Sequence, residues 1–218
     1  MIIATKKIMT RGLHFIQRKI LALFYPKFSR LKNRNYICLY AGDIPKNDLY
    51  YGEELTGLSL SQNNKQHIKH DISNRHPLPD ESVDVYLAEE VFEYIDYDKM
   101  NSVLQDIYRI LKVNGLLRFS VTDYRCDAIY DRCQKDKNDK IIFDPLGGIW
   151  FPVYETVKKL LDKTSFRSID FLHYYDENGN GHCNKIDYSK GYIQRTPDND
   201  VRTANPYRPF SIVVDCYK

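Results

Sequence analysis

Cysteine is sparse in this sequence and shows no pairing pattern. The 218 residues hold five, Cys38, Cys126, Cys133, Cys183 and Cys216, with no C-x-x-C among them. An odd number so spaced excludes a disulfide framework and a structural zinc site, and points to a reducing compartment such as the cytoplasm. No apolar run approaches the roughly 20 residues that cross a bilayer, so a membrane-spanning helix is not expected. No G-x-G-x-x-G follows the first apolar run, which argues against a nicotinamide enzyme. The most uneven shortage is of acidic side chains. The first 42 residues contain none, against nine basic ones: Lys6, Lys7, Arg11, Arg18, Lys19, Lys27, Arg30, Lys32 and Arg34.

That basic arm, residues 1–34, carries Ile8, Phe15, Ile16, Ile20, Leu23 and Phe24 at roughly helical spacing and ends near Pro26. It reads as a basic amphipathic helix. Two roles stay open: peripheral contact with an anionic membrane, at about 1 kcal/mol per basic residue, or packing on the domain with a solvated basic face. The rest of the chain is net acidic, so no groove for nucleic acid is evident and no such partner is expected.

From residue 36 onward, short apolar runs alternate with polar, helix-patterned stretches. Tyr36–Tyr40, Glu54–Leu60, His67–Ile72, Val83–Ala88 and Leu116–Val121 read as strands. A helix is predicted over Tyr97–Leu111, with Met100, Val103, Leu104, Ile107, Tyr108 and Leu111 on one face; Asn114-Gly115 ends it, Gly115 supplying a positive φ. Strands alternating with helices predict an α/β fold with a mostly parallel sheet. In such sheets ligands bind beyond the carboxyl ends of the strands, so the loops there are the place to look for chemistry.

The segment "LPDESVDVYLAEEVFEYIDYDKMNSVLQDIYRILKVNGLLRFSVTD", residues 78–123, is more specific. Through Leu78, Pro79, Asp84, Val91, Glu93, Ile95, Arg109, Leu111, Lys112, Gly115 and Asp123 it resembles class I S-adenosylmethionine-dependent methyltransferases, the type 11-like branch. It departs at Tyr94, where the family usually has His, and at Val113-Asn114, usually Pro-Gly. The resemblance implies a Rossmann-like three-layer sandwich with a seven-stranded, mostly parallel sheet and an antiparallel last strand. It further implies one methyltransferase domain over residues 35–218 with S-adenosylmethionine as cofactor.

Carried over position by position, the resemblance places the cofactor turn at Ala41, Gly42 and Asp43, with one glycine where the family usually has several. The acidic residue that grips the ribose hydroxyls falls near Ser59 and Leu60; Asp43 and Glu54 are alternatives for its role. Asp71 and Ile72 match the positions beside the adenine, and Glu89 and Glu90 the loop that runs along the cofactor. The reduced glycine turn keeps a second reading open, a domain that has lost its cofactor and serves as a scaffold in glycan assembly.

Toward the carboxyl end, a helix from about Pro152, a strand over Ile169–Tyr174 and a final strand over Phe210–Tyr217 match the family's last elements. Between those strands lies a polar insertion over 175–209. Connections this long in compact domains are commonly functional or disordered, and its Tyr188, Tyr192 and Tyr207 with mixed charge argue for order. Rings interleaved with polar groups suit a carbohydrate. "YDENG" and "GYIQR" are similar to pieces of methyltransferases from surface-polysaccharide genes. Expected partners are therefore a glycan or nucleotide-sugar acceptor, with a small metabolite or lipid as the alternative.

A sugar hydroxyl is a weak nucleophile, so its methylation asks for a base or a metal. His182 is the first candidate, carried by the Asn178-Gly179-Asn180-Gly181 turn toward Asp176 and over the cleft. His173, Asp176, Asp123 and Tyr124 complete the catalytic candidates. A divalent metal on Asp123, Asp176 and a histidine has no spacing motif behind it. His67 and His70 read as structural, and His14 and His76 fit no pattern.

Overall fold

In the computed structural model, residues 28–31, 34–46 and 55–218 are described. The basic helix expected around residues 8–24 and the alternative ribose residue Glu54 lie outside the described residues.

Ten strands follow in chain order: β1 (Cys38–Ala41), β2 (Leu55–Ser59), β3 (His67–Lys69), β4 (Val83–Glu89), β5 (Leu111–Thr122), β6 (Gln134–Lys135), β7 (Ile141–Phe143), β8 (Ser168–Tyr175), β9 (Gly181–Cys183) and β10 (Ser211–Tyr217). The helices are α1 (Tyr97–Ile110), α2 (Asp127–Tyr130), α3 (Tyr154–Leu161) and α4 (Val201–Ala204). The main sheet has eight strands in the order β3-β2-β1-β4-β5-β10-β8-β9; β6 and β7 form a separate hairpin. Strands β1 to β5 pair in parallel, while β10 runs antiparallel between β5 and β8. This is the Rossmann-like arrangement expected, with one strand more than the seven foreseen. The extra strand is β9: the start of the insertion turns back at Asn178-Gly179 and pairs with the edge of β8.

Alternation of side chains across the strands builds two cores. Leu39, Ala41, Tyr86, Ala88, Leu117, Phe119 and Val121 face one side, where α1 lays Met100, Val103, Leu104 and Ile107 and α3 lays Val157, Leu160 and Leu161. Tyr40, Val85, Leu87 and Leu116 face the other, where Tyr192 packs against them; Ile186 and Ile193 meet Val213 further along. Among the described residues, therefore, the insertion is what covers the second face.

The motif residues act mainly as clamps. Asp84 accepts the Ile37 N–H at 2.8 Å and both of its oxygens lie 2.7 Å from Lys112 Nζ, tying the start of β4 to β1 and β5. Arg109 reaches Asp106 at 2.7 Å and Asp80 at 2.8 Å, and donates to the Leu78 and His76 carbonyls at 2.7 and 2.8 Å. His76, without a pattern in the sequence, is buried between Asp106 (2.8 Å) and the Tyr86 hydroxyl (3.0 Å). The helix stop needs a correction. Helix α1 ends at Ile110 and Leu111 is already extended; the positive φ, 65°, belongs to Asn114. Gly115 is required for close approach, since a Cβ there would lie 2.8 Å from the Lys112 carbonyl oxygen.

The deepest polar interaction crosses from β5 to β10. Arg118, with 0% exposure, forms a two-pronged pair with Asp215 at 2.7 and 2.8 Å. Its remaining nitrogen donates to the Asp187 carbonyl at 2.8 Å and the Gly191 carbonyl at 2.5 Å, both in the insertion. Removing one partner leaves a buried charge unmatched. Asp215→Ala should therefore cost about 3–5 kcal/mol in urea unfolding; a loss below about 1 kcal/mol would mean that the guanidinium finds water and holds nothing together.

Candidate cofactor and acceptor site

Beyond the carboxyl ends of β1, β2 and β3 opens a cleft of about 430 Å³. Four of the expected cofactor residues line it: Gly42, Leu60, Asp71 and Ile72. Leu58, His70, Ser73, Val91, Tyr94, Ile95, Asp96 and Lys99 complete the lining; Val91 and Ile95 belong to the family pattern and Tyr94 departs from it, whereas Ser73, Asp96 and Lys99 carry no signal in the sequence. Gly42 has φ 105° and its N–H donates to the Leu58 carbonyl at 2.8 Å, which bends the chain out of β1. A Cβ there would meet only Val91 Cγ2, at 3.8 Å. The glycine thus leaves the cleft floor open, and one glycine suffices for the close approach. The turn is braced from below, where buried His67 accepts the Ile44 N–H at 3.0 Å through Nε2.

The other expected cofactor positions do different work. Ala41 is buried as the last residue of β1. Ser59 is no ribose ligand in this arrangement, because its hydroxyl accepts the Ser61 and Gln62 N–H groups at 3.1 and 2.8 Å and bonds the Asp43 carboxylate. Hydrogen bonds from Ser59 and Gln62 hold Asp43 below the usual carboxylate range, so the exposed charge at this edge is Asp43. Asp71 is exposed and accepts the Ser73 N–H at 2.9 Å. His70 is kept neutral: burial, with His76 beside it, lowers it to about 4.

Glu89 and Glu90 sit at the end of β4, under the insertion. Glu89 Oε1 accepts the backbone N–H groups of Gln194 (2.7 Å) and Arg195 (3.3 Å). Glu90 pairs with the Arg195 guanidinium and accepts the Thr122 hydroxyl at 2.7 Å. Glu93, 1% exposed, places Oε1 3.1 Å from the same hydroxyl and 3.2 Å from the Thr122 N–H. Burial and the neighbouring Glu90 push Glu93 up to about 8. Phe210 backs Arg195, its ring centre 4.6 Å from the guanidinium carbon.

The catalytic candidates fall elsewhere. Asp123 is buried at the end of β5, pushed up to about 6 by burial, and holds the Tyr175 and Arg125 N–H groups at 2.8 and 3.0 Å. Tyr124 is buried and donates to Asp144. His173 is 1% exposed on the second face of β8, within 3.1 Å of the Asn184 carbonyl, and burial lowers its basicity. It reads as a core residue rather than a base. His182 does meet Asp176, at 2.9 Å, as the turn predicted. The pair lies on outermost β9, though, four strands from β4, or about 19 Å at the usual spacing. The reason is the hairpin itself. Its pairing draws His182 along the sheet edge, where it stacks 4.6 Å from Tyr174 instead of reaching back over the cleft. Among the described residues no three His, Cys, Asp or Glu side chains group as a metal site, and Asp123, Asp176 and a histidine do not form one.

Comparison with known proteins agrees with this geometry. A methyltransferase domain family matches residues 34–119. Among solved structures, the chain is similar to an S-adenosylmethionine-dependent methyltransferase of Thermotoga maritima, at 16% identity and TM-score 0.50, covering 98% of this chain and 97% of that one. One from Methanosarcina mazei is 12% identical at TM-score 0.50, over 89% and 97% of the two chains. One from Mesorhizobium loti is 13% identical at TM-score 0.50, over 92% and 96%. No curated protein matches. The family match covers residues 34–119 and the solved structures share the fold, and the cradle at the open Gly42 turn leaves room for a ligand in the cleft.

If the cradle holds the cofactor, Gly42→Val fills it and also forces a branched residue to positive φ. Calorimetric titration with S-adenosylmethionine should show at least a tenfold loss of affinity with the circular dichroism unchanged. Asp71→Ala should weaken binding by about 1–3 kcal/mol, as for a hydrogen bond to a charged group. Unchanged affinity in both variants would place the cofactor elsewhere.

Proposed function

We propose that the chain methylates a hydroxyl of a carbohydrate, either a glycan or a nucleotide sugar. The observation that carries this reading is the polar cluster between the end of β4 and the insertion, next in the chain to the cleft residues Val91 and Tyr94. There Glu90, Glu93, Thr122 and Arg195 are half-buried or buried side by side, and the Tyr94 ring stands half exposed at the rim. Sugar hydroxyls need several hydrogen-bond partners at once, and a pyranose face rests on an aromatic ring.

The bound cofactor supplies an activated methyl group on a sulfonium. The protein's work is then to hold the acceptor oxygen in line and remove its proton. Glu90 and Glu93, at the end of β4 beside the cleft residues Val91 and Tyr94, suit that second task better than the distant His182–Asp176 pair. Glu90 and Glu93 share the Thr122 hydroxyl, which gives a proton a short path away from the acceptor. His182–Asp176 is instead a clamp on the β8–β9 turn, where Asp176 also takes the Asn178 and Asn180 N–H groups at 2.9 and 2.8 Å.

A small lipid-like acceptor is the second reading, favoured by Phe143, Leu146 and Ile149, all half exposed or more, on the segment that Tyr94 touches through the Leu146 carbonyl at 3.2 Å. Transfer of labelled methyl groups from S-adenosylmethionine to a panel of nucleotide sugars, oligosaccharides and lipids separates the two. The expected product is a sugar ether whose label survives mild alkali. Label confined to lipids or amines would overturn the carbohydrate reading. On the sugar found, Glu90→Gln should slow transfer by about 10²–10⁴-fold, while His182→Ala stays within a few-fold of wild type.

A further inference from the structure

We infer that the Glu90–Glu93 pair carries one shared proton in the free protein and releases it when a sulfonium enters the cleft, so that the pair distinguishes S-adenosylmethionine from the neutral thioether product. The geometry of Thr122 carries the first half. Its single hydroxyl lies 2.7 Å from Glu90 Oε2 and 3.1 Å from Glu93 Oε1, and the Arg195 guanidinium reaches it at 3.2 Å. One hydroxyl has one hydrogen to give. Two bare carboxylates at that oxygen would leave one contact repulsive; a proton on one carboxyl lets it donate to Thr122 while Thr122 donates to the other. Glu90 Oε1 and Glu93 Oε2 are both buried without a partner, a costly arrangement for two full negative charges.

The charges around the pair point the same way. Tyr94 lies on the same loop, and Thr122 and Tyr124 come from the end of β5, with Asp144 behind the Tyr124 hydroxyl. The insertion brings Arg195 and, further out, Arg202. Among the described residues Arg195, already paired with Glu90, is the cation in direct contact with the pair, and none of them gives Glu93 a counterion of its own. That balance raises the proton affinity of Glu93 into the neutral range.

Val91 stands between the two glutamates in sequence and Tyr94 and Ile95 directly follow them, and all three line the cleft whose other lining includes Leu60, Asp71 and Ile72. Of the cofactor's two ends the adenosyl part is neutral, so charge complementarity assigns the sulfonium end to the carboxylates. The entering cation stabilises the doubly ionised pair and its proton leaves to solvent; loss of the methyl group removes the cation, and the pair regains its proton affinity. The inference rests on the cofactor assignment alone. A different acceptor would leave it untouched.

Calorimetry of the full chain with S-adenosylmethionine and with S-adenosylhomocysteine, each at pH 7 in phosphate and in Tris, counts the protons exchanged. Wild type should release about one proton more on binding the sulfonium than Glu93→Gln does; the comparison with the variant cancels the ligand's own amine. With S-adenosylhomocysteine the two proteins should exchange the same number, and its affinity should agree within a few-fold between them. A second reading needs no variant: between pH 6 and 8 the preference of wild type for the sulfonium over the thioether should climb by up to about tenfold per pH unit. Equal proton release for wild type and Glu93→Gln, or a preference independent of pH, would overturn the inference. Failure of either ligand to bind would overturn the cofactor assignment with it.

Discussion

The buried Arg118 guanidinium is the constraint on which the site side of this protein depends. A planar cation with five N–H donors, fully removed from water, has to find acceptors or give back more than burial gains. The sheet itself supplies only Asp215 on β10. The Asp187 and Gly191 carbonyls come from the insertion, so that segment is bound to lie on the second face of the sheet. Gly191 has φ 146°, and a Cβ there would come within 2.5 Å of Leu87, which shows how closely the backbone is drawn down. Three and four residues later the chain delivers the Gln194 and Arg195 N–H groups to Glu89 and the Arg195 side chain to Glu90. A core ion pair thereby sets the electrostatics of the catalytic end.

The cleft is uneven in charge. Its β2–β3 end combines Gly42, Leu58 and Ile72 and a histidine kept neutral with the exposed Asp71 carboxylate, a surface suited to a planar group that carries hydrogen-bond donors. Its β4–β5 end gathers Glu89, Glu90 and Glu93 against one arginine. A ligand with a neutral half and a cationic half fits that division, and fixed backbone donors from the insertion keep the acidic end from collapsing onto water. Desolvation does the rest: where a carboxyl has no exposed surface, its protonation follows whatever charge shares the space.

Most of the residues that carry the family resemblance turn out to be scaffold. Asp84, Arg109 and Lys112 never approach the cleft; they fasten the start of β4, the end of α1 and the first turn of β5 to one another. Their value to the site is indirect, since β4 must end at a fixed height for Glu90 and Glu93 to meet Thr122. Glu93 and Asp123 differ from these, as motif residues that are buried and whose carboxyls burial pushes up.

The order of elements, the parallel sheet with its antiparallel last strand and the turn at Gly42 after β1 were all legible in the sequence. Those features come from local patterns: alternation along strands, helical spacing in Met100–Ile107, and a glycine between a strand and a polar loop. The eighth strand was not legible, because Gly181–Cys183 is a strand only by virtue of the β8 edge that it pairs with. Nor was the cluster of Glu90, Glu93 and Thr122 beneath Arg195, or the place of His182 on the far edge of the sheet. A histidine six residues from an aspartate looks catalytic in one dimension, and the local turn did bring the two together as predicted. Which of two acidic groups loses its water, and which insertion residue lands on it, depends on contacts between Glu90, Thr122 and Arg195, which lie 32 to 105 positions apart. Separations of that order leave no periodic trace, so only the folded sheet could assign that chemistry.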